Sequence, residues 1–304
     1  MLWTEKYRPT KLRDIIGQEH FVMDAETWLD EGEMPNLLFY GNAGLGKTGA
    51  AVALSKSFLG DKFSDNFYEV NASDDRKLET VRTTIKQIAQ SSTIGDVPFR
   101  ICLLDEMEGM TTDAQNALKR IMERYAGNIR FIITCNDRNK IIFPLQSRCA
   151  NYHFKPLSNE NMITVLRKIL DTEKIDKFSD DDLGRFIYDL NGDMRRAITE
   201  LQAAKSSGFS LKKQVESMLK VYSKSLELIV EKKMNECLEG LHNLIYEGYT
   251  VKEICLGLHN AIINSEGIES AMKFKMLRVI GESEWRSTTM TPKVLVSWMV
   301  GQII

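Results

Sequence analysis

The octapeptide Gly41-Asn42-Ala43-Gly44-Leu45-Gly46-Lys47-Thr48 constrains this chain more than any other segment. It matches G-x-x-x-x-G-K-[ST], and it stands between an apolar run, Asn36-Leu37-Leu38-Phe39-Tyr40, and a helical stretch from 47 to 58. Glycines let backbone N–H groups curl around a β-phosphate, and a helix N-terminus adds partial positive charge. Lys47 is then placed to bridge β- and γ-phosphates, and the Thr48 hydroxyl to hold Mg²⁺. A plain glycine-rich turn is the other reading, and the strand-loop-helix context favours phosphate binding.

Further apolar runs recur at Phe67-Tyr68-Glu69-Val70, Arg100-Ile101-Cys102-Leu103-Leu104 and Ile129-Arg130-Phe131-Ile132-Ile133-Thr134. Their continuous rather than alternating hydrophobicity predicts a parallel sheet covered on both faces. Crossover helices are expected over 47–58, 77–90 and 111–125, so the first half reads as a doubly wound α/β domain. After Pro156 the texture becomes helical: Ser158 opens one helix, Ser179 and Asp182 form a capping box, and Asn191-Gly192-Asp193 precede another helix. From 223 onward, apolar residues at helical spacing continue to a last helix opened by Pro292. The expected division is an α/β core over 1–157, a small helical lid over 158–222 and an all-α domain over 223–304.

The 304 residues, at 43% hydrophobic and 27% charged with a net charge of −2, exclude disordered, collagenous and membrane classes. Any contact with nucleic acid must come from a local patch. Cys102, Cys135, Cys149, Cys237 and Cys255 lack zinc spacing and read as reduced, mostly buried thiols of an intracellular protein. No basic leader with an apolar stretch and no long apolar span is visible, so neither secretion nor a membrane partner is expected.

Leu103-Leu104-Asp105-Glu106 ends a buried strand in two carboxylates, at the edge where ligands sit in open α/β sheets. Asp105 suits the Mg²⁺ shell, and Glu106 suits polarising an attacking water. Acidic pairs at strand ends are common, and the phosphate loop is what gives this one weight.

Trp3-Thr4-Glu5-Lys6-Tyr7-Arg8-Pro9 and Asp14-Ile15-Ile16-Gly17-Gln18 resemble the N-terminal signature of clamp-loader AAA+ proteins of the replication factor C small-subunit family. The likeness continues through Asn71-Ala72-Ser73-Asp74-Asp75, Thr112 to Leu118, Ser147-Arg148-Cys149 and Gly192 to Ala197. The resemblance implies an AAA+ P-loop core with a parallel sheet, a helical lid, and an all-α C-terminal collar for oligomerisation. It also implies an ATPase that loads a PCNA-like sliding clamp onto primer-template DNA, together with a large subunit and other copies of the small subunit. The chain's compactness points to an archaeal cytoplasm with nucleoid association, or a nucleus if the source is eukaryotic.

The resemblance further implies that Thr4, Tyr7, Arg8, Ile15, Ile16 and Gly17 cover the adenine, although Tyr7 and Ile16 also suit simple packing. Asn136, which as a residue alone is a turn former, takes the sensor position at the γ-phosphate. Arg195, otherwise one more solvated cation, takes the second sensor position and reaches the nucleotide from the lid. Arg148 is implied to be a finger inserted into a neighbour's site. Arg82 and Lys86 at i, i+4, with Lys119 or Arg120, are implied to track DNA backbone, against the alternative of a solvated basic face. Gln115 is implied to lie near Glu106 as a relay.

Gln87 to Phe99 is implied to face the clamp, although its Ile88, Ile94, Val97 and Phe99 suit a core equally. Asn42, Ala43 and Leu45 replace two prolines and a threonine of the family pattern, and Met107-Glu108 replace Ala-Asp. None of these departures removes a catalytic group. The alternatives are another AAA+ DNA motor such as a branch-migration helicase, and a scaffold subunit that does not hydrolyse ATP.

Overall fold

The computed structural model describes residues 1–72, 79, 81–176, 178–187, 190, 192–207 and 211–304, with backbone alone at 81, 82, 185, 206, 207 and 211–219. In chain order the first elements are α1 (Trp3–Lys6), α2 (Glu19–Glu31), β1 (Leu37–Tyr40), α3 (Lys47–Leu59), α4 (Phe63–Asn66) and β2 (Phe67–Asn71). A π turn over Val81–Ile85 leads into α5 (Lys86–Gln90), followed by β3 (Arg100–Asp105), α6 (Thr112–Arg124), β4 (Ile129–Cys135), α7 (Phe143–Gln146) and β5 (Ala150–His153). Helices complete the chain: α8 (Asn159–Thr172), α9 (Asp180–Ile187), α10 (Met194–Ser207), α11 (Leu211–Val230), α12 (Met234–Tyr246), α13 (Val251–Asn264), α14 (Ser270–Arg286) and α15 (Pro292–Ile303).

Among the described residues five strands form one parallel sheet in the order β2-β3-β4-β1-β5. Because side chains alternate across a strand, the continuous apolar runs supply two cores at once. Leu37, Phe39, Ile101, Leu103 and Ile132 enter one layer with α2 and α3. Leu38, Cys102, Leu104, Phe131 and Ile133 enter the other with α6. The sequence runs did not reveal β5, a sheet-edge strand in which only Tyr152 is fully buried, so its apolar signal is thin.

By packing, the chain forms two compact units. The first comprises Met1–Lys177 with Leu190–Lys205, and the second Phe178–Asp189 with Ser206–Ile304. In the first, Ser158 caps α8 by accepting from the Asn161 N–H, as the sequence predicts. In the second, Ser179 and Asp182 make the reciprocal capping bonds of α9. The core of that unit is all helical: Leu241, Ile254, Leu258, Met276, Leu295 and Met299 are buried, and Pro292 starts α15 where a missing N–H does no harm. The five cysteines are free and buried, and burial pushes the Cys102 and Cys149 thiols up to about 12.

Candidate active site

The phosphate loop leaves the sheet at the end of β1, between the C-terminal ends of β4 and β5. Gly41 has φ +143°, and a β-carbon there would stand 2.4 Å from the Phe154 carbonyl, so the exit turn tolerates glycine alone. Lys47, at the first position of α3, is buried. Its ammonium donates to the carbonyls of Gly41 at 2.7 Å and Asn42 at 2.8 Å, and to Asn136 Oδ1 at 3.0 Å. Burial pushes its pKa below the ordinary lysine value, against the opposing attraction of Glu108 and Asp105.

The acidic side of the site comes from β3 and β4. The Thr48 hydroxyl lies 3.1 and 3.2 Å from the two oxygens of Asp105. Thr134, on the neighbouring strand, donates its hydroxyl to Asp105 and accepts from the Glu106 N–H at 3.2 Å. That bond accompanies the left-handed backbone of Glu106, φ 54°, a conformation that costs a non-glycine residue. Beyond it, Glu108 Oε1 accepts from both the backbone N–H (3.0 Å) and the Nδ2 (2.6 Å) of Asn136. Asn136 is thereby fixed with its carbonyl oxygen toward Lys47.

These elements enclose a cleft of about 320 Å³. It is lined by Thr4, Tyr7, Arg8, Ala43, Gly44, Leu45, Gly46, Lys47, Thr48, Asp105, Glu106, Thr134, Asn136 and Arg195, with Met194 and Ile198 beside the last. Gly41 and Asn42 contribute carbonyls to Lys47 from behind. Ile15, Ile16 and Gly17 fall outside this lining: Ile15 packs on the core with Leu12, and a β-carbon on Gly17 would meet Leu157 at 2.3 Å. The buried Leu12 draws that segment onto the sheet layer.

Other expected residues lie elsewhere. Arg148 is outside the cleft and half-exposed, with Nε and Nη2 donating to Glu123 and Nη1 to the Pro144 carbonyl. Lys86 and Arg120 are exposed and Lys119 is half-buried, whereas the Arg82 side chain lies outside the described residues, as do Ser73, Asp74 and Asp75 of the family signature. Gln115 is buried, donating to the carbonyls of Met110 and Lys140 and accepting from the Ile142 N–H, so it ties α6 to the segment after Asn136 and not to Glu106. In the 87–99 segment Phe99 is core, Ile88 and Val97 pack against the core, and Ile94 is exposed. Sequence reasoning missed Thr134 and the holding role of Glu108. Their signals are faint: one hydroxyl in an apolar strand, and one acid after an acidic pair.

The fold and cleft define a P-loop nucleotide-binding protein of the AAA+ class, and the "ATPase family associated with various cellular activities" matches residues 37–157. The replication factor C small subunit of Methanoculleus marisnigri is 37% identical over 292 residues, covering 94% of this chain and 90% of that protein. That of Halobacterium salinarum is 37% identical over 294 residues with the same coverage. The chain belongs to the replication factor C small-subunit family. The fold is also similar to that of a Thermotoga maritima RuvB Holliday junction branch migration motor, with a TM-score of 0.57 at 15% identity over 78% of this chain and 85% of that one. No helix among the described residues is long and apolar enough to cross a membrane.

Proposed function

We propose that the chain is an ATP-hydrolysing subunit of a clamp loader, which uses ATP to place a sliding clamp on primer-template DNA. The observation that carries this reading is the convergence of Lys47, Thr48, Asp105, Glu106, Asn136 and Arg195 on one cleft. Thr4, Tyr7 and Arg8 wall the adenine side. Lys47 holds the β- and γ-phosphates, Arg195 brings α10 to the same phosphates, and Glu106 orients the attacking water and takes its proton. Asn136, with its acceptor oxygen presented, holds Lys47 and fixes that water.

The neighbouring oxygens of Thr48 and Asp105 fit Mg²⁺, a hard cation that takes few protein ligands and completes its shell with phosphate and water. When bound, Mg²⁺ supplies charge neutralisation on the phosphates. No denser group of metal-ligating side chains occurs among the described residues, in keeping with that sparse site.

Arg148 acts in trans. Its guanidinium stands outside its own cleft, so it serves the cleft of an adjoining copy or of the large subunit. Lys86, Lys119 and Arg120 contact DNA phosphates without reading sequence. The collar, 223–304, joins the subunits, with 1–157 as core and 158–222 as lid. Complete acidic and basic partners in the cleft favour hydrolysis over a scaffold role. The test is ATPase activity of the assembled loader: it rises when clamp and primed DNA are added together, and activity indifferent to both overturns the reading.

A further inference from the structure

We propose that Glu173 is a positioning residue that clasps the two walls of the nucleotide cleft to each other. It sits at the C-terminal end of α8, outside the cleft lining, with its side chain only 10% exposed. Three donors from two segments converge on its carboxylate. Oε1 accepts from the Tyr7 hydroxyl at 2.7 Å and from Lys6 Nζ at 2.5 Å, and Oε2 accepts from Lys205 Nζ at 2.5 Å.

Tyr7 belongs to the wall that also carries Thr4 and Arg8. Lys205 lies toward the end of α10, the helix whose first turns carry Met194, Arg195 and Ile198 into the cleft. The two walls meet again beside the carboxylate: the Trp3 N–H donates to Gln202 Oε1 at 2.8 Å, and Lys205 Nζ lies 5.2 Å from the centre of the Trp3 ring. Trp3 in turn packs edge-on to Tyr7, 6.1 Å between centroids.

Charge makes the clasp directional. With the carboxylate present, Lys6 and Lys205 are drawn to one point. Without its charge, two ammonium groups face each other across the junction and repel, which parts the wall over the adenine from the helix that carries Arg195. Glu173→Gln keeps the volume and an acceptor for Tyr7 but leaves that repulsion in place. Lys205→Met removes one of the two cations.

The inference rests on the reading of the cleft as the ATP site, and equilibrium binding of ATP to the full chain tests both. E173Q is expected to weaken ATP binding about tenfold, the size of a lost charge-assisted hydrogen bond. The double variant E173Q/K205M is expected to recover most of that loss, and raised salt to narrow the gap between E173Q and the unaltered chain. A merely structural role would predict neither the rescue nor the salt dependence. If the unaltered chain binds ATP and E173Q binds it within twofold, or if K205M gives no rescue, the clasp is wrong. If the unaltered chain does not bind ATP, the reading of the cleft falls and the clasp falls with it. Should E173Q fail to fold, K205M and K6M carry the test, since neither lysine lines the cleft: each is expected to weaken binding severalfold, and unchanged binding in both overturns the proposal.

Discussion

The carboxylate of Asp193 occupies the space a side chain on Gly44 would need: a β-carbon on Gly44 would come within 1.9 Å of Asp193 Oδ1. The same Oδ1 accepts from the Arg196 N–H at 3.0 Å and so caps α10. The phosphate loop and the helix that carries Arg195 therefore meet at a glycine. Gly44→Ala should lose about 1–2 kcal/mol through its φ of +79° alone and also displace the cap. The expected result is ATP binding weakened by an order of magnitude or more, read by equilibrium titration, and unchanged affinity would show that the contact is dispensable.

Glu106→Gln removes the group placed to take a proton from water while leaving Lys47, Thr48 and Asp105 in position. Hydrolysis by the assembled loader should fall by about 10²–10⁴. ATP affinity should change little. Steady-state ATPase measured beside nucleotide titration separates the two, and full activity would support the scaffold alternative.

Arg148 is paired with Glu123 of its own chain, at side-chain exposures of 35% and 48%. Exposed ion pairs contribute about 0–1 kcal/mol, so the guanidinium is easily transferred to a neighbour's phosphate. Arg148→Ala should leave ATP binding intact and reduce hydrolysis by about 10³–10⁵. Mixing Arg148→Ala chains with Lys47→Ala chains should restore part of the activity, because an intact cleft then meets an intact finger. The absence of any complementation would argue against action in trans.

Acid should weaken the first unit through Glu173. Hydrogen bonds from Lys205, Lys6 and Tyr7 hold its carboxyl at about 2, below an ordinary 4.5. A depressed folded-state value means the contribution is complete above about 4.5 and is lost as pH falls from there toward 2. Denaturant unfolding across that window should show a steeper loss in the unaltered chain than in E173Q, and parallel profiles would remove Glu173 from the account.

Gln115→Ala would strip partners from the buried carbonyl of Met110 and from the partly buried Lys140 carbonyl and Ile142 N–H. Buried polar groups left unpaired should lower stability by about 2–4 kcal/mol. The measurement is the shift in chemical denaturation midpoint, and a shift below a quarter of that range would mean that water replaces the amide.

Much of this site can be read along the chain because each part is a local signal. The phosphate loop is eight consecutive residues, Asp105 and Glu106 terminate a run of five whose burial needs no partner to be guessed, and Ser158 announces its helix by one hydroxyl. Roles for Arg148 and Asn136 come from the resemblance alone, since a lone arginine or asparagine carries no spacing that reveals one. Strand β5 escaped because its place at the sheet edge asks for only one fully buried side chain.

The local order of residues thus specifies the strand-loop-helix cradle, the two faces of the sheet and the helical second half, since backbone geometry and apolar periodicity act over a few residues. Pairings such as Glu173 with Lys6, Tyr7 and Lys205, Asp193 with Gly44, and Glu108 with Asn136 span from 28 to 167 positions. A carboxylate on a helix end reads as solvated until folding brings cations to it, and charge-assisted hydrogen bonds then hold it there. Where the acids point was settled by packing, and that is what turns a nucleotide motif into a cleft with two linked walls.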